Sequence, residues 1–212
     1  MGVLMNKGYL KQQKEYLFDI LSKEIKDSRV LKAIRGVPRE EFVSKELREL
    51  AYINAPQDIG YDQTISQPYI VALMCELLEL KDRDVVLDIG TGSGYMAAVL
   101  SKLCKEVVSI EVVPQLVKES RLRLKRLGYK NVTVIEGDGN RGYVKRAPYD
   151  KIVCSAVAKD VPNSWREQIV MGGLIVVPLY RGGSQQLVRV RYMEDRYFEE
   201  YFGGVVFVPL VD

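Results

Sequence analysis

Val85-Val86-Leu87-Asp88-Ile89-Gly90-Thr91-Gly92-Ser93-Gly94-Tyr95 is the stretch that decides the fold. Its apolar run with a single acid reads as a buried strand, its glycines as a tight turn, and residues 95–103 as a helix. Towards the C-terminus the unit recurs. Strands are expected at 107–111, 132–135, 151–154 and 174–177, with a helix running through Leu124 after the first of them. Near-continuous apolar strands separated by helices predict a parallel sheet covered on both faces. Residues 186–192, 197–202 and 205–211 are strand-like with no helix between them, so antiparallel strands should finish the sheet. Upstream, helical spacing marks residues 10–25 and the group Val30, Leu31 and Ile34, which ends near Gly36-Val37-Pro38. A short amphipathic piece follows at 39–43, and 52–64 reads as an irregular loop. Ser66-Gln67-Pro68 opens a further helix, with Ser66 or Gln67 as its cap and Ile70, Leu73, Met74, Leu77 and Leu78 as its apolar face. The expected fold is α/β: a doubly wound, Rossmann-like, mostly parallel sheet with antiparallel C-terminal strands and a helical N-terminal appendage. Residues 1–64 should form the appendage and a lid, residues 65–212 the α/β domain, the two making one compact unit.

Composition excludes several function classes. The 212 residues contain no histidine, which removes a Ser-His-Asp triad, a Cys-His dyad and His-ligated zinc. Lys and Arg number 31 against 28 for Asp and Glu, and a net charge of +3 is too weak to imply a nucleic-acid partner. Cys75, Cys104 and Cys154 are far apart without a C-x-x-C pair, so no disulfide framework or metal site is expected and a reducing compartment suits them. Residues 1–7 carry neither a signal peptide nor a myristoylation signal, and the longest apolar runs are strand-sized. The expectation is a cytoplasmic chain without membrane contact.

The glycine loop narrows the ligand. A nicotinamide dinucleotide would want G-x-G-x-x-G, but Tyr95 stands three residues beyond Gly92, and no Lys-Ser/Thr follows to make a phosphate loop. Glu111 closes the second strand, where an acid can accept both ribose hydroxyls. Asp138, in Gly137-Asp138-Gly139, follows the third strand, where a carboxylate can accept from an adenine amino group. A ribose acid, an adenine acid and a loop without pyrophosphate spacing point to S-adenosyl-L-methionine, whose positive sulfonium suits acidic strand ends. Strand-end acids are also common as helix caps.

The acceptor is narrowed by what the fourth strand lacks. Cys154-Ser155-Ala156-Val157 holds no prolines to grip a flipped base, and Cys154 reads as a small buried hydrophobe rather than a nucleophile. The basic run Lys118, Arg121, Arg123, Lys125 and Arg126 reads as a solvated helix face. Gly60-Tyr61-Asp62-Gln63-Thr64-Ile65-Ser66-Gln67-Pro68-Tyr69, with Val37-Pro38-Arg39-Glu40-Glu41-Phe42-Val43 and the glycine loop, resembles the protein-L-isoaspartate O-methyltransferases. The likeness runs from about residue 30 to 212 through Gly137-Asp138-Gly139, Ala147-Pro148-Tyr149-Asp150 and Phe207-Val208-Pro209-Leu210. It departs at Tyr69 and Val71, where some relatives carry histidines.

That resemblance implies methylation of the α-carboxyl of L-isoaspartyl residues in damaged proteins and peptides, giving S-adenosyl-L-homocysteine and an ester that cyclises to a succinimide. It matches Ser66 to the family's active-site serine. Asp88, Gly90, Gly92, Glu111, Asp138, Gly139 and Gln63 are implied on the cofactor, and Thr64, Ile65 and the Val208 backbone on the substrate, with no metal. Two other readings stay open: a methyltransferase of the same scaffold with another acceptor, and a cofactor-binding protein without turnover.

Overall fold

In a computed structural model, residues 7–194 and 196–211 are described. The reading of the extreme N-terminus as free of targeting signals therefore falls almost wholly outside them. The chain opens with helices α1 (Lys7–Glu24) and α2 (Ser28–Gly36). A hairpin follows, β1 (Gln57–Gly60) and β2 (Gln63–Ile65), and then α3 (Pro68–Leu77). The α/β part is β3 (Val85–Ile89), α4 (Tyr95–Leu100), β4 (Glu106–Glu111), α5 (Pro114–Arg126), β5 (Val132–Glu136), β6 (Tyr149–Cys154), α6 (Asn163–Gln168), β7 (Ile169–Arg181), β8 (Ser184–Met193) and β9 (Arg196–Gly204).

Seven strands form one sheet in the order β5-β4-β3-β6-β7-β8-β9. The first four pairings are parallel and the last two antiparallel. The chain builds outward from β3 to β5 and then crosses back to β6 on β3's other side, so a crevice opens between the ends of β3, β4 and β6. Strand side chains alternate between two cores. Val86, Val107, Val153 and Val176 face the side of α3, α4 and α5, whereas Leu87, Val108, Ile152 and Ile175 face Trp165.

The N-terminal helices are tied into the first of those cores. Leu17, Leu21, Val30 and Ile34 are buried in one cluster with Met74, Ala98 and Val107. Their connection is pinned to α3, since Glu76 Oε1 accepts from the backbone N–H of Lys26 at 2.6 Å and Asp27 at 2.7 Å. Arg29 reaches the carbonyls of Leu80 at 2.7 Å and Leu103 at 3.3 Å.

Several local expectations need correction. The stretch 52–64 is not all loop, because its turn-forming residues enclose the β1–β2 hairpin. Helix α4 stops at Leu100 and runs on as turns. On α3, Val71, Met74, Cys75 and Leu78 are buried, while Ile70 and Leu73 are only partly covered. The helix is apolar on nearly every side, so periodicity alone offered two stripes. Between β5 and β6 the crossover uses two 3₁₀ turns, Gly139–Arg141 and Val144–Arg146, rather than an α-helix. Residues 205–211 are not a paired strand; they meet the sheet through a bond from Val205 N–H to the Gln185 carbonyl at 3.0 Å and an isolated bridge, Val157 to Pro209. Among the described residues no helix is long and apolar enough to cross a membrane.

Candidate active site

The glycine loop leaves β3 with Gly90, Gly92 and Gly94 at φ values of 87°, 52° and 89°, a left-handed path that residues bearing a Cβ resist. The loop is anchored to β4: the N–H groups of Gly90 and Thr91 both donate to the Ile110 carbonyl, at 2.9 and 3.1 Å. Glu111, at the end of β4, accepts from Gly92 N–H at 2.7 Å with one oxygen and from Val112 and Val113 N–H at 3.0 Å with the other. Each carboxylate oxygen has two lone pairs, so Oε1 is filled by its two N–H donors and Oε2 keeps one lone pair for a further donor. From α5, Arg123 donates to the Ser93 carbonyl at 2.7 Å, and Arg121 holds the Val134 carbonyl at 2.8 and 3.0 Å. Two of the five cations read as a solvated face are thus structural clamps.

The loop, the ends of β3 and β4 and the start of α4 line a partly open cavity. Gln63, Thr64, Ile65, Ser66, Gly90, Gly92, Glu111, Gly139 and Val208 all line it, so nine of the residues singled out in the sequence come together. Its lining carries one acid and no Lys or Arg. That suits a cationic nucleoside and offers nothing to a pyrophosphate. The hairpin β1–β2 closes the space from outside: a Cβ on Gly92 would lie 3.3 Å from Ile59 Cδ1.

Asp88 and Asp138 are not in that lining. The Asp88 carboxyl is fully buried, accepts from Ser109 Oγ at 2.7 Å with one oxygen, and leaves the other without a partner among the described residues. Burial pushes its pKa up to about 7, against the lowering by the Ser109 hydroxyl and with a further push from Glu111. Ser109 Oγ in turn lies 2.5 Å from Thr91 Oγ1, which links the buried acid to the glycine loop. Asp138 caps its own 3₁₀ turn, accepting from Asn140 N–H at 2.8 Å and pairing with Arg141 at 3.2 Å. Its neighbour Gly139 packs so tightly that a Cβ would sit 2.5 Å from Ile89 Cγ2. The Gly139 carbonyl accepts from buried Trp165 Nε1 at 2.8 Å.

Beside this cavity runs a larger groove, lined by Pro56, Gln67, Ile70, Gln185 and the stretch 204–208. Cavity and groove share Thr64, Ser66, Ser155 and Val208, and no charged side chain lines the groove. The Ser66 hydroxyl has no hydrogen-bond partner among the described residues. The cap of α3 is supplied instead by Asn54, whose Oδ1 accepts from Tyr69 N–H at 3.0 Å, and Gln67 contributes no side-chain cap. Residues 205–208 are held extended by the Gln185 amide, which accepts from Phe207 N–H at 2.7 Å and donates to the Phe207 carbonyl at 3.2 Å. The Val206 backbone groups and Val208 N–H, on the strap's other edge, make no hydrogen bond among the described residues.

Sequence reasoning passed over Ser155, Gln185 and Arg39. Ser155 had a signal, as the residue after β6 beside the switch point, its N–H donating to the Ile89 carbonyl at 2.8 Å. Gln185 had none, because nothing local ties an amide on β8 to a strap some twenty residues later. Cys154, as expected, is buried, and burial raises its thiol to about 12.

A family model described as protein-L-isoaspartate(D-aspartate) O-methyltransferase matches residues 12–212. A protein-L-isoaspartate O-methyltransferase of Dictyoglomus turgidum is 47% identical over 201 residues, covering 94% of this chain and 91% of its own length. A protein-L-isoaspartate O-methyltransferase 2 of Pelobacter propionicus is 52% identical over 196 residues, covering 91% and 86%. A solved protein-L-isoaspartate O-methyltransferase superposes with a TM-score of 0.86 at 31% identity, over 94% of this chain and 66% of that one.

Proposed function

The chain belongs to the protein-L-isoaspartate O-methyltransferase family, and from that membership we propose how its residues perform the reaction. It methylates the free α-carboxyl of L-isoaspartyl residues in damaged proteins and peptides, with S-adenosyl-L-methionine as donor and S-adenosyl-L-homocysteine as product. One observation carries the assignment of roles: the cavity behind the glycine loop and the groove beside it meet at Thr64, Ser66, Ser155 and Val208. A donor in the first and an extended peptide in the second would face each other there.

The cofactor, when bound, supplies a methyl group activated on a sulfonium. Glu111 would accept from a ribose hydroxyl with the remaining lone pair of Oε2, and Gly139 would border the adenine, with Asp138 shaping that turn from behind. Asp88 would act through Ser109 and Thr91 rather than by contact. The unpaired edge at Val206 and Val208 offers a peptide two donors and one acceptor, as an added strand would need. Ser66 would donate its hydroxyl to the acceptor carboxylate and hold it towards the cavity. No base is required, because a carboxylate of pKa near 4 is already ionised at neutral pH. Two buried groups behind the site are unsuited as bases: burial raises Cys154 and Tyr95 both to about 12. The hairpin would shield one side of the junction from water. The ester formed then cyclises to a succinimide, which reopens in part to normal aspartate.

Residues 1–64 would carry the appendage and lid and residues 65–212 the catalytic unit. Three buried free thiols support a cytoplasmic setting, and the uncharged groove supports a protein rather than a nucleic-acid partner. The deciding experiment is transfer of a labelled methyl group to an isoaspartyl peptide beside its aspartyl twin. Labelling of the isoaspartyl peptide alone is expected. Equal labelling of both would assign another acceptor, and cofactor binding without turnover on either would leave a binding protein.

A further inference from the structure

Arg39 is the one arginine with no exposed surface in this protein's described residues. It has no ion-pair partner among them, and burial lowers its pKa from the usual arginine value. Its Nε donates to the Ala51 carbonyl at 2.9 Å and its Nη2 to the Ser66 carbonyl at 2.8 Å. Its guanidinium lies 4.8 Å from the centre of the Tyr95 ring, and Nη1 has no acceptor among the described residues. A cation stripped of water without a carboxylate is an expensive way to fill apolar space, which a methionine of similar length would fill at less cost.

What the guanidinium holds explains its presence. Ala51 and Ser66 bracket residues 52–65, the segment that carries the β1–β2 hairpin over the cofactor cavity. A planar fork with several donors can pin two carbonyls at once, which a single ammonium cannot do in the same geometry. Tyr95, against whose face the fork rests, opens α4 and lines the cavity. The same anchor is reinforced next door, where Tyr52 donates to Glu40 at 2.5 Å.

We propose that Arg39 is a positioning residue for methyl transfer: it fixes both roots of the lid segment against Tyr95, and so keeps Ser66 in register with the donor cavity. The proposal rests on the assignment of Ser66 and of the isoaspartyl acceptor made above. It places the effect of Arg39 on the aligned complex rather than on donor binding, because the contacts to the glycine loop and Glu111 do not pass through it.

The test compares wild type, Arg39→Met and Arg39→Lys by thermal melting, calorimetry with S-adenosyl-L-homocysteine, and steady-state kinetics on an isoaspartyl peptide. Arg39→Met should melt no lower than wild type and bind S-adenosyl-L-homocysteine within twofold, yet lose at least tenfold in kcat with donor KM nearly unchanged. Arg39→Lys, able to reach one carbonyl at a time, should recover part of kcat. A folded Arg39→Met with kcat within threefold of wild type would overturn the proposal, as would a loss of donor affinity equal to the loss in kcat. If Arg39→Met does not fold, Arg39→Lys decides by the same split between kcat and donor KM. A wild type inactive on the peptide would instead overturn the acceptor assignment.

Discussion

Ser66 carries the acceptor side of the site with a hydroxyl that the helix behind it does not use. Because Asn54 caps α3, Ser66→Ala should leave the melting temperature and donor affinity near wild type. Methyl transfer should still fall about ten- to a hundredfold, the loss of one orienting hydrogen bond, or about 1.4–2.7 kcal/mol. Measured kcat with calorimetry on the same samples checks this, and a joint loss of stability and donor binding would return Ser66 to a structural role. Asp88 is a different kind of residue, felt in stability before chemistry. Its folded pKa of about 7 lies above the ordinary 3.8, so between those values the folded chain holds a proton that the unfolded chain has released. Stability therefore falls as pH rises from about 4 to 7 and stays lower above, by on the order of 4 kcal/mol. Asp88→Asn keeps an acceptor for Ser109 and removes the titration. Its melting temperature should gain on wild type between pH 5 and pH 8, and an equal difference at both would mean that the carboxyl ionises normally. The single-turnover rate itself should stay nearly flat from about pH 5.5 to 8.5, because the acceptor is ionised throughout.

Hairpin β1–β2 is the element that reaches over the cofactor cavity from outside the main sheet. Its tip runs through Gly60, Tyr61 and Asp62, all left-handed, at φ values of 83°, 58° and 57°. Tyr61 and Asp62 hold that conformation without being glycine, which costs roughly 1 kcal/mol each. Asp58 steadies the turn by accepting from Gly60 N–H at 3.0 Å, and the Tyr61 hydroxyl donates to Glu119 on α5 at 3.2 Å. That last bond is an exposed latch between lid and body. Glu119→Ala should speed release of S-adenosyl-L-homocysteine about two- to fivefold, the weight of one solvated hydrogen bond. Stopped-flow displacement measures it, and an unchanged off-rate would show that the hairpin is held by its packing on the glycine loop alone. On the opposite wall, Gly139→Ala forces a methyl group into Ile89 and towards Leu210, at 2.5 and 3.3 Å. A destabilisation of about 1–3 kcal/mol is expected, with weakened cofactor binding, since Gly139 lines the cavity.

At the scale of the molecule, the sheet was legible because its parallel strands are covered on both faces and so read as uninterrupted apolar runs. Glycine spacing and Glu111 were legible for the same local reason: one strand end and one turn contain the whole signal. Asp138 illustrates the limit. Its position after the third strand was correctly read, but its carboxylate turns to Asn140 and Arg141, a choice made by the 3₁₀ turn rather than by the strand. The buried side of α3 depended on which helices cover it, and an almost wholly apolar helix does not announce that. Residues 205–211 were read as a strand because they are apolar, yet they meet neighbouring backbone only at Val205, Val208 and Leu210, and the side chain of Gln185 takes the ladder's place at Phe207. Sequence patterns report backbone ladders better than such substitutes.

Trp165 is the chain's single tryptophan, buried among the far-face core and bonded through its indole N–H to the carbonyl of Gly139. Excited at the red edge, where the thirteen tyrosines do not absorb, this protein therefore has one emitter, one residue removed from the wall where the adenine would rest. Unlabelled protein should carry its own optical gauge of cofactor occupancy. Titration with S-adenosyl-L-homocysteine is expected to change emission intensity in step with calorimetric binding, and Trp165→Phe should abolish the change while the heat remains. Occupancy without any spectral response would place the adenine away from Gly139.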